Sequence, residues 1–223
     1  MSDAPVHPGM NVSYSVSRRF AWYRVAKTGT RSLNRLFEDT IPDYRYLLRA
    51  DPIPADLQQL LDDGCLTFSF VRNPWDRLAS GWRNKLSRDF PRRRNFINQL
   101  RTDSTSEDQL TNATTDFGVF LDLLPGSVLF ERDIHFHPQA RILGDTPIDV
   151  VGRFETYRRD VEHVLDALGL GSLCAALPHL NRSSEGEHYR SLYDDRTRTL
   201  AAELYGADIT RWGYRFDDGP APA

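Results

Sequence analysis

The segment FAWYRVAKTGTRSLNRLF, residues 20–37, changes its residue pattern twice and decides the fold. Its first part, Phe20–Val25, is rich in aromatic and β-branched residues, which predicts a buried strand. Ala26–Thr30 then brings small residues, one cation and one glycine. In Ser32–Phe37 the apolar residues recur at helical spacing. The segment therefore predicts a strand, a tight loop and a helix, with Lys27 at the turn.

A turn of this kind suits an anion such as a phosphate or sulfate. Successive backbone N–H groups and the positive end of the helix dipole point at one place. The phosphate loop of nucleoside triphosphatases does not match, since it ends in Gly-Lys-Ser/Thr. Here Ala26 precedes Lys27, and Gly29 follows it. The alternative is an ordinary strand-to-helix turn with a surface lysine.

The shorter string AKTGTRS resembles the loop of sulfotransferases that use 3′-phosphoadenosine-5′-phosphosulfate (PAPS). In that family the loop holds the 5′-phosphosulfate of the donor. The resemblance implies donor contacts from six consecutive residues: Lys27, Thr28, Gly29, Thr30, Arg31 and Ser32. Arg31 departs from the family, which often has threonine or serine there, and its role is open.

A second strand, loop and helix are predicted at Thr67–Val71 and the residues after it. Asn73 is a good N-cap and Pro74 suits the first helical position, so Arg72 should lie where the strand ends. The string RNPWDRLASGW resembles the second PAPS-binding element of the same family. That resemblance implies that Arg72 and Ser80 hold the 3′-phosphate, a role that suits the fork of donors on arginine. The alternative is an ion-pairing arginine and a small packing residue.

A third strand is predicted at Asp149–Phe154. Three later strings extend the resemblance: VGRFE at 151–155, HLNRS at 179–183 and WGYRF at 212–216. It covers residues 20–216, and it is closest to the carbohydrate O-sulfotransferases of the chondroitin, dermatan and HNK-1 type. The HLNRS string implies further contacts with the 3′-phosphate or adenine of the donor, from Asn181, Arg182 and Ser183.

The expected fold is α/β, with three layers and a P-loop-like arrangement. Such a fold has a mostly parallel central sheet with helices on both faces. Ligands of open α/β sheets bind outside the carboxyl ends of the strands, and Lys27 and Arg72 both follow predicted strands.

Composition favours one globular domain over residues 1–223. A net charge of −3 argues against a nucleic-acid partner. No apolar run reaches the ~18 residues of a membrane-spanning helix. The first residues lack the pattern of a secretory signal, so we expect a cytoplasmic, bacterial protein, unlike the membrane-anchored Golgi enzymes. Its oligomeric state is left open.

Three polar stretches are predicted to be flexible. Residues 1–17 and 217–223 are expected to be frayed ends of the domain. Residues 87–112 form a polar insertion that contains the arginine run 92–94, and an acceptor-binding lid is expected there. The arginine run would suit an acidic sugar, and a solvated charged face is the alternative.

Sulfuryl transfer requires an aligned donor, stabilisation of the leaving phosphate oxygen, and a base for the acceptor hydroxyl. Lys27 is the candidate for the leaving group. His135 is the candidate base, because histidine accepts a proton near neutral pH and HFHPQ resembles the histidine string of the carbohydrate branch. The alternatives are Asp133 or Glu131 as the base, or a metal held by His135 and His137. No metal is expected.

The sequence thus predicts transfer of a sulfuryl group from PAPS to a hydroxyl of a carbohydrate or glycosylated metabolite, with PAP as the product. The acceptor is expected to be a small molecule or a carbohydrate. The alternative is a P-loop-type phosphoryl-transfer enzyme or a non-catalytic nucleotide-binding module, which fold-level similarity alone would permit.

Overall fold

The computed structural model describes residues 10–48, 51–87, 92–177 and 189–218. They fall into two compact units, each assembled from two stretches of chain. The described part of the first unit is residues 10–48, 51–72 and 142–177, and that of the second is residues 73–87, 92–141 and 189–218. A single domain over residues 1–223 remains a prediction.

The first unit contains a sheet of five strands in the order β3-β1-β2-β4-β5. The strands are β1 (Asn11–Ser15), β2 (Phe20–Arg24), β3 (Arg45–Leu47), β4 (Leu66–Val71) and β5 (Val150–Arg153). β1 pairs antiparallel with β2 and with β3. β2, β4 and β5 run parallel to one another, as the three predicted strands should.

The described sheet is therefore mixed, because β1 runs antiparallel to both of its neighbours, and the expectation of a mostly parallel sheet is not confirmed. The physical reason is the N-terminal strand, Asn11–Ser15, which the sequence interpretation had assigned to a flexible end. Only residues 16–19 connect it to β2, and so short a connection joins antiparallel strands, whereas parallel strands need a long crossover.

The helices of the described chain, in order, are α1 (Thr30–Thr40), α2 (Ala55–Asp62), α3 (Pro74–Trp82), α4 (Arg93–Leu100), α5 (Glu107–Asn112), α6 (Phe117–Leu123), α7 (Val128–Arg132), α8 (Gln139–Leu143), α9 (Tyr157–Ala167), α10 (Asp195–Leu204) and α11 (Gly206–Trp212). None of these helices is long and apolar enough to cross a membrane.

Helices cover both faces of the sheet in the first unit. On one face, α1 and α9 pack against β2 and β4 in one apolar core, where Trp22 stacks on Phe68 with ring centroids 5.7 Å apart. On the other face, the hydroxyl of Tyr14 on β1 donates to Asp56 of α2 over 3.1 Å. Because both faces are covered, the aromatic run of β2 is buried almost throughout.

Gly152 on β5 is required by the packing of that core. A Cβ atom there would lie 2.5 Å from Cε1 of the buried Phe70 ring and 3.1 Å from Cβ of Asp160 on α9. β5 therefore approaches the ring of β4 so closely that any side chain at this position would displace it.

The second unit is helical. Its core is aromatic: Trp82 of α3 packs edge-on against Phe117 at 5.3 Å, and its indole N–H donates to the carbonyl of Ala113 over 2.8 Å. Phe120 of α6 packs against Phe136 at 5.5 Å. The described part of the polar insertion, residues 92–112, is mostly helical because it supplies α4 and α5, with a capping box at Ser106.

We predict that Gly152→Ala lowers the free energy of unfolding by ~1–3 kcal/mol, the usual cost of overpacking a core. Urea unfolding would measure this. Gly206→Ala is the matched control, since no atom lies within 4 Å of a Cβ built there. The control should be neutral or stabilise by up to ~1 kcal/mol. Equal stability of both variants would contradict the predicted clash.

Candidate active site

The loop between β2 and α1 has an unusual backbone. Lys27 has a φ of 74° and Gly29 a φ of 82°, so two residues of this short turn are left-handed. Positive φ is uncommon for a residue other than glycine and concentrates at functional sites. The buried hydroxyl of Thr28 donates to the carbonyl of Val25 over 2.8 Å and fixes the turn from inside.

The first turn of α1 is suited to an anion. Gly29 is its N-cap and supplies no side-chain cap. The N–H of Ser32 donates to the carbonyl of Gly29 over 3.1 Å, Ser32 is buried, and Arg31 is exposed. A helix start without an acidic or hydroxyl cap, next to a half-buried lysine, fits the loop predicted for a phosphate or sulfate.

Arg72 brings the second predicted element to this loop. It follows β4 directly, is 5% exposed, and donates through Nη1 to the carbonyl of Lys27 over 3.0 Å. Its guanidinium carbon lies 4.0 Å from the centroid of the Phe154 ring, which packs on it as a cation–π pair. The structure thus places Arg72 against the backbone of the lysine loop, within the first unit.

Tyr157 secures the other side of the loop. Its hydroxyl donates to the carbonyl of Gly29 over 2.8 Å. A Cβ at Gly29 would lie 2.6 Å from Cε2 of the same ring, so only glycine allows this contact. Burial raises the pKa of Tyr157, which keeps the hydroxyl protonated as a donor.

Sequence reasoning missed the roles of Phe154 and Tyr157. A signal was present, because both follow β5 directly, and the carboxyl ends of parallel strands meet at the same edge of a sheet. The residues after the third predicted strand could therefore have been expected to contact the lysine loop.

Ser80 lies on α3, in the second unit, and is half-buried. The helix begins as predicted: the side chain of Asn73 accepts from the N–H of Trp75 over 3.1 Å, and Pro74 is the first helical residue. The remaining predicted donor contacts, Asn181, Arg182 and Ser183, lie outside the described residues.

His135, also in the second unit, forms a dyad with Asp133. Its Nδ1 lies 2.8 Å from Oδ1 of Asp133, and its backbone N–H donates to the same oxygen over 2.8 Å. A carboxylate can only accept here, so Nδ1 carries the proton and the neutral ring has its basic lone pair on Nε2. The arrangement is that of a general base oriented by a carboxylate.

The surroundings keep Asp133 ionised. Burial acts to raise the pKa of Asp133, but the hydrogen bonds from His135, the charge of that ring when it is protonated, and the charge of Lys85 outweigh burial, so the pKa lies below its usual range. The Lys85 ammonium lies 5.0 Å from the centroid of Phe96, whose ring contacts His135 edge-on at 6.0 Å. Asp133, named in the sequence analysis as a rival base, is therefore the partner of His135.

Among the described residues, no group of three or more His, Cys, Asp or Glu side chains is arranged to hold a metal ion. His137, proposed as a second ligand in the metal alternative, uses Nδ1 with the carbonyl of Phe130 at 3.1 Å.

Comparison with known proteins adds one result to this geometry. The model of the sulfotransferase family matches residues 14–215. The chain belongs to the sulfotransferase family. No curated protein matches it, and no solved structure matches it. The match spans the lysine loop, Arg72, Ser80 and His135, so transfer of a sulfuryl group in general is the activity of the family to which these residues belong.

In this sulfotransferase, we predict that His135→Ala raises the pKa of Asp133, because burial then acts without the opposing hydrogen bonds. In the intact protein, the lowered pKa of Asp133 stabilises the fold at pH values above ~3.9, the ordinary pKa of an aspartate. This stabilisation is lost as the pH falls through the pKa of Asp133 in the folded state. A ¹³C NMR titration of the aspartate carboxyls would measure the pKa of Asp133 in the unsubstituted protein and in the variant.

Asp43 is the internal control for this titration. Burial opposes the shift, but hydrogen bonds from Ser17 and Ser15 lower its pKa to about 2. It belongs to the first unit, so His135→Ala should leave its titration unchanged. An Asp133 midpoint that did not rise in the variant would contradict the dyad.

Proposed function

We propose that this sulfotransferase moves a sulfuryl group from PAPS to a hydroxyl of a carbohydrate or glycosylated metabolite and releases PAP. The observation that carries the proposal is the lysine loop: left-handed at Lys27 and Gly29, without a side-chain cap on α1, and inside the family match. When bound, PAPS would supply the sulfuryl group and the leaving phosphate.

On the donor side, the loop residues Lys27 to Ser32 would bind the 5′-phosphosulfate. The ammonium of Lys27 would neutralise the charge that develops on the phosphate oxygen as the sulfuryl group leaves. Arg72 and Ser80 are proposed to hold the 3′-phosphate. The contact of Arg72 with the carbonyl of Lys27 also makes it a support of the loop. Asn181, Arg182 and Ser183 are proposed donor contacts on the resemblance alone.

On the acceptor side, Nε2 of His135 would remove the hydroxyl proton. Asp133 would hold the ring in the required tautomer and stabilise the imidazolium that forms. Phe96 supports an acceptor-side role for the segment 87–112, because its ring lies against His135. The exposed arginines at the start of α4, Arg92 and Arg94, are candidates for an acidic group of the acceptor.

Other parts of the proposal rest on sequence alone. They are the carbohydrate branch, a bacterial cytoplasmic enzyme, a P-loop-like relationship of the fold, and the absence of a required metal. The rival function is phosphoryl transfer or nucleotide binding without catalysis. The lysine loop of this chain lacks the Gly-Lys-Ser/Thr ending of the P-loop that this function would use.

The first test compares PAP with ATP and magnesium in a thermal-shift experiment. A ligand at ~100 times its dissociation constant adds ~2.7 kcal/mol of stability, which for a chain of this size raises the melting midpoint by roughly 5–10 °C. We expect this shift with PAP and none with ATP. A shift with ATP alone would favour the phosphoryl-transfer alternative, and no shift with either would contradict a nucleotide site.

Two substitutions separate the proposed roles in a PAPS-dependent transfer assay. Lys27→Ala should lower kcat by ~10²–10³, the usual effect of removing one preorganised electrostatic contact. His135→Ala should abolish transfer and leave PAP binding intact. The controls are Arg35→Ala, an exposed cation on α1, and His163→Ala, an exposed histidine on α9, which should keep full turnover. Near-normal turnover of Lys27→Ala would contradict the role proposed for Lys27 at the leaving phosphate.

A further inference from the structure

The segment that carries His135 is held by a buried arginine. Arg77 of α3 is 1% exposed. It donates through Nη2 to the carbonyl of Ile134 over 2.7 Å and through Nη1 to the carbonyl of His137 over 3.0 Å. These carbonyls stand on either side of His135, so one rigid guanidinium fork fixes the backbone before and after the ring.

Two more buried side chains of the second unit hold the same segment. The hydroxyl of Tyr205 donates to the carbonyl of Phe136 over 2.5 Å. The carboxyl of Asp208 accepts from the N–H groups of Gln139 and Ala140, over 2.9 and 2.7 Å, and from Nε2 of Gln139 over 3.2 Å. The HPQ part of the HFHPQ string therefore serves as an anchor.

Gly81 makes the closest approach of α3 to this segment. A Cβ there would lie 2.9 Å from Cε1 of Phe136 and 3.4 Å from the carbonyl oxygen of His135. Phe136 is fully buried, so its ring could move away only by displacing the atoms packed around it. Arg77 and Gly81 are one helical turn apart and therefore share a face of α3. Ser80, the proposed ligand of the 3′-phosphate, precedes Gly81 on the same helix.

We propose that Arg77 and Gly81 are positioning residues that fix His135 relative to the helix carrying Ser80. This inference rests on the proposed function. It makes α3 a rigid link between a residue that binds the donor and the residue that takes the acceptor proton. Such alignment matters for rate, because a misplacement of about 1 Å can cost ~10²-fold in turnover.

The charge of Arg77 guides the choice of variant. Burial raises the pKa of Asp208. The hydrogen bond from the backbone N–H of Ala140 and the charge of Arg77 oppose that rise. Arg77→Lys keeps the charge near Asp208 but removes the fork that holds two carbonyls at once. Gly81→Ala is the second variant, because it displaces Phe136 without touching any polar contact of Arg77.

The test measures turnover, PAP affinity and urea unfolding for both variants. We expect kcat to fall ~10–10²-fold, within the range for a misplaced catalytic group, while PAP affinity and cooperative unfolding persist. Arg196→Lys is the matched control, an exposed arginine paired with Asp122 at 2.5 Å that should keep full turnover. If kcat, PAP affinity and unfolding midpoint all fell together, Arg77 and Gly81 would be structural residues only.

A second readout does not depend on catalysis. The imidazole resonances of His135, assigned by their loss in His135→Ala, should shift in both variants and stay in place in Arg196→Lys. Unchanged His135 resonances together with wild-type kcat in both variants would overturn the proposal. If the unsubstituted protein neither bound PAP nor transferred sulfuryl, the proposed function would fail, and the resonances would still decide whether Arg77 and Gly81 position His135.

Should Arg77→Lys fail to fold, Gly81→Ala and Tyr205→Phe carry the same test. Tyr205→Phe removes only the hydroxyl that holds the carbonyl of Phe136. A shift of the His135 resonances with lowered kcat in either variant would support the proposal, and wild-type values in both would overturn it.

Discussion

The parallel pairing of β2, β4 and β5 is the constraint on which the first unit depends. The register sets Tyr23 beside Ser69 and Val71 beside Arg153, so the three strands end at one edge of the sheet. Whatever follows each strand must then lie close together. The lysine loop follows β2, Arg72 follows β4, and Phe154 and Tyr157 follow β5. The contacts of the loop are a consequence of this register.

These contacts explain how the chain keeps a left-handed lysine. Such a backbone costs of order 1–3 kcal/mol and persists only where the surroundings determine it. Arg72 takes the carbonyl of Lys27, Tyr157 takes the carbonyl of Gly29, and Thr28 closes the turn on Val25. All of these bonds hold main-chain atoms. The loop is therefore fixed in shape through its carbonyl groups, and none of these three bonds uses an N–H group at the start of α1, where we propose that the anion binds.

The local parts of this arrangement could be predicted from the sequence, and the long-range parts could not. The strand and helix around Lys27, and the cap at Asn73 with Pro74, depend on neighbouring residues and begin within two positions of where they were expected. The bond from Tyr157 to Gly29 joins residues 128 apart, and no local pattern encodes it. The strand at Asn11–Ser15 was missed because its polar sequence resembles a free end. The HFHPQ string identified His135 as a candidate base, but the hydrogen bond between His135 and Asp133 became visible only in the structure.

Stability alone is a poor reason for a buried arginine at position 77. Removing a guanidinium from water is costly, and replacing buried ionic groups by well-packed apolar ones is often neutral or stabilising. An apolar side chain could fill the same volume, yet it would leave the carbonyls of Ile134 and His137 without their donor and free the backbone beside His135 to move. What the arginine adds is direction: two bonds of fixed geometry from a helix to the two sides of one residue. The oriented base that we propose gains from that constraint in the position of its ring, because rate depends steeply on alignment.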